Sequence, residues 1–205
     1  MIYLDSAATS FLKPPGVKAA MMYAMDTMSS PGRGAYNAAM HAADKVYECR
    51  ELACRLFNFD KPEHVVFTLN ATHALNIAIK TLARRESRVV ISGYEHNSVT
   101  RPLHEAGAKV SVAAGRLFDR NSALAAFEEK IPGADLVVCN HVSNVFGFIQ
   151  PVYEISEICS RFGVPLIIDA SQSAGIEELD AERLNAVFIA MPGHKGLLGP
   201  QGTGI

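Results

Sequence analysis

The feature that most constrains the fold of this 205-residue chain is a regular alternation of apolar runs and amphipathic stretches. Apolar runs predict six β-strands, at residues 64–69, 88–92, 109–113, 135–140, 165–169 and 186–190. Helical patterns at 14–28, 37–58, around 74–82, 97–106, 121–130 and 151–161 lie before and between them. Because the strands are continuously apolar, we expect a mainly parallel sheet covered on both faces, which is a three-layer α/β sandwich.

Helix details can also be predicted from local pattern. Val46, Cys49, Ala53, Leu56 and Phe57 recur three to four residues apart and predict the buried face of helix 37–58. Asn97 or Ser98 is expected to cap helix 97–106, and Asn121–Ser122 the helix that ends at Lys130.

Composition narrows the class of protein. Half of the residues are apolar, so a substantial core can form. The net charge of −2 lacks the excess of positive charge that is typical of nucleic-acid-binding proteins. No apolar run reaches the ~18 residues of a membrane span, and the first residues do not resemble a signal peptide. We therefore expect a cytoplasmic protein without a membrane partner. The four cysteines follow no metal-ligand spacing, which predicts reduced structural thiols and no metal site.

Polar groups follow the predicted strands at the edge where parallel sheets bind ligands. These are Ala71 and Thr72 after the first strand, His96 after the second, Asn144 after the fourth, Asp169 and Gln172 after the fifth, and His194 and Lys195 after the sixth. These residues could instead have structural roles. Residues 70–73 could cap a helix, His96 could be a structural histidine, and Asn144 could form a turn. Because all of these residues follow predicted strands at the same edge of the sheet, we favour a ligand-binding site there.

Lys195 and Asp169 suggest the chemistry of that site. A lysine held in a pocket on a Gly-His-Lys-Gly turn loses solvation, which lowers its pKa and makes the amine nucleophilic. An Asp at the end of a core strand can pair with a ring nitrogen. Together they are the two fixed points of a pyridoxal phosphate site, although a solvated lysine and a capping aspartate remain the ordinary alternatives.

Other nucleotide and hydrolase motifs are absent from the sequence. Residues 196–202 lack the Lys-Ser/Thr pair of a P-loop, and Gly32-Arg33-Gly34 lacks the third glycine and preceding strand of a dinucleotide fingerprint. No Gly-x-Ser-x-Gly elbow is present.

Six segments together resemble the class V aminotransferase superfamily of pyridoxal phosphate fold type I, most closely its cysteine desulfurase and selenocysteine lyase branch. They are Tyr3–Thr9, Thr68–Thr72, Glu95–Ser98, His141–Gly147, Asp169–Gln172 and Gly193–Lys195. The resemblance covers essentially the whole chain in order.

The resemblance implies a role for each site residue. Lys195 would form the Schiff base with pyridoxal 5'-phosphate and then shuttle a proton, and His96 would stack on the ring and act as an acid-base group. Asp169 would pair with the pyridinium nitrogen, while Gln172 would bind the ring hydroxyl and Asn144 would orient the ring. The phosphate would be held by the amides of Ala71 and Thr72 and by His194.

The sequence departs from the family pattern in three places. Pro192 stands where relatives have a phosphate-binding Ser, and His73 stands where many have Glu. Relatives are about twice as long, so residues 1–205 are interpreted as the cofactor-binding large domain, truncated after Ile205, without the small C-terminal domain. The carboxylate-binding arginine and the persulfide cysteine of relatives would lie in that missing half.

The resemblance therefore implies an enzyme that converts L-cysteine to L-alanine and enzyme-bound sulfur, present here as its cofactor-binding half. Another class V aminotransferase, lyase or epimerase reaction is an alternative. A different alternative is a fragment that only binds pyridoxal phosphate or dimerises, since this chain alone is expected to have little turnover. The implied partners are a small amino-acid substrate, a second copy in a homodimer and a sulfur-acceptor protein.

Overall fold

The computed structural model describes residues 2–205 and contains one parallel sheet of five strands. The strands are β1 (Arg88–Ser92), β2 (Lys109–Ala113), β3 (Leu136–Asn140), β4 (Leu166–Asp169) and β5 (Phe188–Ala190). The helices are α1 (Pro15–Thr27), α2 (Asn37–Leu56), α3 (Ala71–Leu82), α4 (Asn97–Glu105), α5 (Arg120–Lys130), α6 (Val152–Phe162) and α7 (Ala181–Leu184), with a 3₁₀ turn at Pro62–His64.

The strand order β2-β1-β3-β4-β5 reverses direction between β1 and β3. From β1 the chain moves outward to β2 and then returns to the other side of β1 with β3. Such a reversal leaves a crevice beyond the carboxyl ends of the strands. Asn140 is in register with Asp169, so β3 and β4 end side by side at this edge.

Apolar side chains cover both faces of the sheet. On one face Val137 and Ile168 pack with Phe127 and Ile155, which come from α5 and α6. On the other face Val138 and Ile167 pack with residues of α3 and α4, chiefly Leu75, Ile79 and Leu103. Alternate residues of the same strands thus enter opposite cores, and the three-layer α/β prediction is confirmed.

The predicted strand at 64–69 is wrong. After the 3₁₀ turn the segment is extended, but only Thr68 pairs, through two antiparallel 2.8 Å hydrogen bonds with Gly204. A single residue pair does not make a ladder, and Val66 and Leu69 are 59% and 63% exposed. An apolar run predicts a buried strand, but apolarity alone does not supply a backbone partner.

Two helix caps differ from prediction by one or two positions. The ring Nδ1 of His96 accepts the Ser98 N–H at 3.1 Å and caps α4. Asp119 Oδ1 accepts the Ser122 N–H at 2.9 Å and caps α5. In both cases the acceptor lies before the first helical residue, where it can reach the second or third free amide.

The buried face of α2 is also rotated relative to the predicted one. Ala39, Ala42 and Cys54 are buried and Phe57 packs in the core, whereas Cys49 and Leu56 are exposed. The short α7, capped by Asp180, was not predicted.

All four cysteines are free thiols, and three of them are buried. Across residues 2–205, no cluster of three or more His, Cys, Asp or Glu side chains could hold a metal ion. In the same residues, no helix is both long enough and apolar enough to cross a bilayer.

Candidate active site

A cavity of about 380 Å³ lies beyond the carboxyl ends of the strands. All eight residues predicted to bind a cofactor line it: Ala71, Thr72, His96, Asn144, Asp169, Gln172, His194 and Lys195. The structure thus brings these eight residues together from five separate segments of the chain. Their roles toward a cofactor remain predictions.

Lys195 enters the cavity from a tight turn after β5. The turn is closed by hydrogen bonds from Leu198 N–H to the Lys195 carbonyl at 2.9 Å and from Gly199 N–H to the Gly193 carbonyl at 2.7 Å. Burial lowers the pKa of the Lys195 amine, while the nearby Asp169 carboxylate opposes this shift. The amine is therefore deprotonated more readily than that of a surface lysine, as a nucleophilic role requires.

Gly196 allows this turn to pack against the segment after β4. A Cβ atom at position 196 would collide with the carbonyl oxygen of Ala174 and with the side chain of Ile176. We expect Gly196→Ala to lower the free energy of unfolding by about 1–3 kcal/mol, and to displace Lys195. Urea denaturation and covalent capture of pyridoxal phosphate measure the two effects.

Gly16→Ala is the matched control for that prediction. A Cβ at Gly16 meets nothing within 4 Å, and the position lies in the first turn of α1. Equal stability and equal cofactor capture in the two variants would show that the close approach at Gly196 is unimportant.

Asp169 is the last residue of β4 and is 3% exposed. Its Oδ1 accepts the Ser171 N–H at 2.9 Å. Burial raises the pKa of this carboxyl. Hydrogen bonds with Ser171, and then the charges of Lys195 and His96, partly oppose this rise. A cationic ring nitrogen beside Asp169 would stabilise the ionised form that burial disfavours.

The N-terminus of α3 presents free donors to the same cavity. Asn70 caps the helix by accepting the His73 N–H at 2.8 Å, which leaves the earlier amides of Ala71 and Thr72 without a partner among the described residues. Unpaired amides at the positive end of a helix dipole suit a phosphate group. The predicted cap and the predicted phosphate site are therefore compatible.

The side chains of Gln172 and His96 each use one polar atom in a hydrogen bond within the protein. The Gln172 amide nitrogen donates to the Ala7 carbonyl at 3.0 Å, so its oxygen remains as an acceptor for a ring hydroxyl. The His96 Nδ1 accepts the Ser98 N–H, so the neutral ring carries its proton on Nε2. The capping function of His96 fixes the orientation of its ring.

Asn144 lies in the turn after β3, where the Ser143 hydroxyl accepts from the backbone at Phe146. Turn formation and cavity lining, posed above as alternatives, thus coexist at this residue. Pro192 is buried in the cavity wall and supplies no hydroxyl or N–H there. His73 accepts from Leu69 N–H through its Nδ1 and lies outside the cavity lining.

Sequence reasoning missed a polar network beneath the cavity. The Glu95 carboxyl accepts from the Ser92 hydroxyl and from the Asn140 N–H, and Asn140 accepts from Gln150 at 2.9 Å. Burial raises the pKa of Glu95 to about 8. The Glu95 Oε2 atom is buried without a partner.

Asp5, Ala7 and Ala8 of the N-terminal segment also line the cavity. These small and polar residues carry no periodicity that would have assigned them to the site. Only the resemblance of the segment as a whole pointed to them.

The protein has an α/β fold with one cavity beyond the carboxyl ends of its parallel strands. A reactive lysine, a buried carboxyl and a helix N-terminus surround this cavity. The family model for aminotransferase class V matches residues 2–205. The chain therefore belongs to the class V aminotransferase family. Proteins of this family are pyridoxal phosphate-dependent, and the donor set described above fits that group.

Individual relatives are cysteine desulfurases. A probable cysteine desulfurase from Methanothermobacter thermautotrophicus is 37% identical over 99% of this chain and 52% of its own length. A cysteine desulfurase IscS from Shewanella denitrificans is 33% identical, again over 99% of this chain and 52% of its own. The chain spans about half the length of the curated relatives it matches.

Solved structures agree with the fold. The apo structure of a cysteine desulfurase from Thermococcus onnurineus NA1 is 35% identical and superposes with a TM-score of 0.90, covering 99% of this chain and 52% of that one. A structure described as SspA in complex with cysteine is 26% identical with a TM-score of 0.87, covering 100% and 60%. The likeness confirms the predicted superfamily and its desulfurase branch.

Proposed function

We propose that this chain is the pyridoxal phosphate-binding part of an enzyme that removes sulfur from L-cysteine to leave L-alanine. The observation that carries the proposal is the convergence of Lys195, Asp169 and the free amides of α3 on one cavity. The cofactor, when bound, supplies a ring that accepts electrons from the amino-acid carbon. The residues of this chain would hold that ring and move protons around it.

Each residue acts according to its position. Lys195 would hold the cofactor through its Nζ, and its amine would accept and return a proton during the reaction. Asp169, at the buried end of β4, would keep the ring nitrogen protonated. The Ala71 and Thr72 amides and His194 would hold the phosphate. His96 would cover the ring, and Gln172 and Asn144 would fix its rotation.

L-cysteine is the proposed substrate because the relatives are cysteine desulfurases and one structural neighbour is in complex with cysteine. A homodimer, a sulfur-acceptor protein and a cytoplasmic location complete the proposal. None of the four cysteines lines the cavity among the described residues. Burial raises the pKa of Cys159 to about 12, and it also raises that of Cys139 and Cys54. We therefore assign the role of sulfur carrier, which needs a thiolate, to none of the four cysteines.

Product analysis tests the proposed reaction. The chain loaded with pyridoxal phosphate is mixed with substoichiometric L-cysteine and dithiothreitol, which supplies the two electrons that release sulfur as sulfide. We expect alanine and sulfide in equal amounts, at a slow rate, and no keto acid. Keto acid as the main product would favour aminotransfer or elimination instead. The control is the wild-type protein under the same conditions without pyridoxal phosphate.

A further inference from the structure

The N-terminal segment is tied to the main chain immediately before Lys195. Four donor atoms approach the carbonyl oxygen of His194, which belongs to the peptide bond that joins His194 to Lys195. The Ser10 N–H, the Ser10 hydroxyl and the Lys13 ammonium each lie 3.0 Å from it. The Thr9 hydroxyl oxygen lies at 3.1 Å.

Hydrogen counting decides which of these donors the carbonyl accepts. The Thr9 hydroxyl has one hydrogen, and its oxygen is also 2.9 Å from the ring Nδ1 of His194. Lys13 donates a second hydrogen to the Ser10 oxygen, which directs the Ser10 hydroxyl hydrogen onto the carbonyl. The carbonyl oxygen has two lone pairs, and Ser10 and Lys13 already bring three hydrogens to it, so we assign the Thr9 hydrogen to Nδ1.

This arrangement fixes the tautomer of His194. Burial, followed by the charges of Lys195 and Lys13, lowers the pKa of His194, so the ring is neutral near pH 7. A neutral ring that accepts at Nδ1 carries its hydrogen on Nε2. His194 lines the cavity, so its ring offers a donor and not an acceptor to an anionic group.

The turn that carries His194 and Lys195 is also tied from outside. Gly193 and Gly196 flank His194 and Lys195, and glycine gives the backbone more freedom than any other residue. Hydrogen bonds from a half-buried ammonium are among the stronger ties available to a carbonyl. The residues that supply the tie lie more than 180 positions away in the chain.

We propose that Thr9, Ser10 and Lys13 form an N-terminal clamp that positions the cofactor lysine: Ser10 and Lys13 fix the His194–Lys195 peptide, and Thr9 holds His194 as the Nε2–H tautomer. Lys13 is a positioning residue, since it acts on Lys195 only through the carbonyl of His194. The proposal rests on the proposed function for the role of Lys195, but its geometry does not depend on the cofactor.

The first test measures the Lys195 amine in the cofactor-free protein. Trace reductive methylation across pH 6–11, read by peptide mass spectrometry, gives the pKa of the amine. Loosening the turn exposes Lys195 to water, so Lys13→Ala should raise that pKa by about one pH unit and slow covalent capture of pyridoxal phosphate about tenfold. Ser10→Ala should shift the pKa and the capture rate in the same directions. Lys13→Arg should keep both close to their wild-type values.

Lys18→Ala is the matched control, because Lys18 is an exposed lysine on α1. It should behave like the wild type. Equal labelling profiles in Lys13→Ala and Lys18→Ala would overturn the clamp. An effect of Lys13→Ala with none from Ser10→Ala would also overturn it, because charge alone would then explain the shift.

The second test observes the His194 ring directly. Ring ¹⁵N chemical shifts should report the Nε2–H tautomer in the wild type and in Thr9→Ser, and a mixture in Thr9→Val. An Nδ1–H tautomer in the wild type would contradict the proposal. The pKa of the Lys195 amine and the ring shifts of His194 are both measured without pyridoxal phosphate, so failure of the protein to capture the cofactor would reject the proposed function while leaving the clamp standing.

Discussion

Asp169→Asn is expected to reduce the rate of product formation from L-cysteine by about a thousandfold, in the range that loss of one preorganised electrostatic group causes. The amide keeps the size of the side chain and can still accept from Ser171, but it cannot hold a proton on the ring nitrogen of the cofactor. Single-turnover kinetics with the cofactor-loaded protein measures the effect.

The same substitution should leave the protein intact without cofactor. Burial raises the pKa of Asp169, so the ionised carboxylate disfavours the folded state and its replacement by an amide should not lower the free energy of unfolding at pH 8. Asp26→Asn, on the exposed surface of α1, is the control. A rate within threefold of the wild type would remove Asp169 from the mechanism.

Glu95→Gln is expected to flatten the pH dependence of stability. The folded pKa of Glu95 is about 8, raised chiefly by burial, against about 4.3 in the unfolded chain. The stability that this raised pKa provides is fully present below pH 4.3 and is lost as the pH rises through 8, by at most about 5 kcal/mol. The variant should match the wild type near pH 5 and exceed it at pH 9.

Urea denaturation at intervals between pH 5 and pH 9 measures this difference. The pKa of Asp169 shifts in the same direction, and the Asp169 charge also raises the pKa of Glu95, so the difference between Glu95→Gln and the wild type reports Glu95 together with this interaction. Glu51→Gln, on the exposed side of α2, should run parallel to the wild type. A Glu95→Gln curve that also ran parallel would show that the Glu95 carboxyl titrates normally.

Much of the fold could be predicted because its signals are local. The limits of β1 and β2 match the predicted runs residue for residue. β1 is buried after Arg88, as expected of an apolar strand inside a parallel sheet, whereas the edge strand β2 is exposed except at Ala113. The site followed from topology. Parallel strands end at one edge, so residues as distant as Thr72 and Lys195 were expected to meet there, and both line the cavity.

What could not be predicted depends on contacts between distant segments. The run at 64–69 looks like a strand, but only Gly204 pairs with it. The network around Glu95 and the clamp on His194 are made by single polar groups with no periodicity. No local pattern distinguishes the carboxyl of Glu95, which is buried, from the solvated pairs elsewhere in the chain.

The central claim is that the cavity holds pyridoxal phosphate covalently on Lys195. Borohydride reduction of the loaded protein, followed by peptide mass mapping, tests it most directly, with Lys80→Ala as the control because Lys80 pairs with Glu105 away from the cavity. We predict one phosphopyridoxyl group per chain, on Lys195, present in Lys80→Ala and absent in Lys195→Ala. Label spread over surface lysines, or retained in Lys195→Ala, would contradict the account.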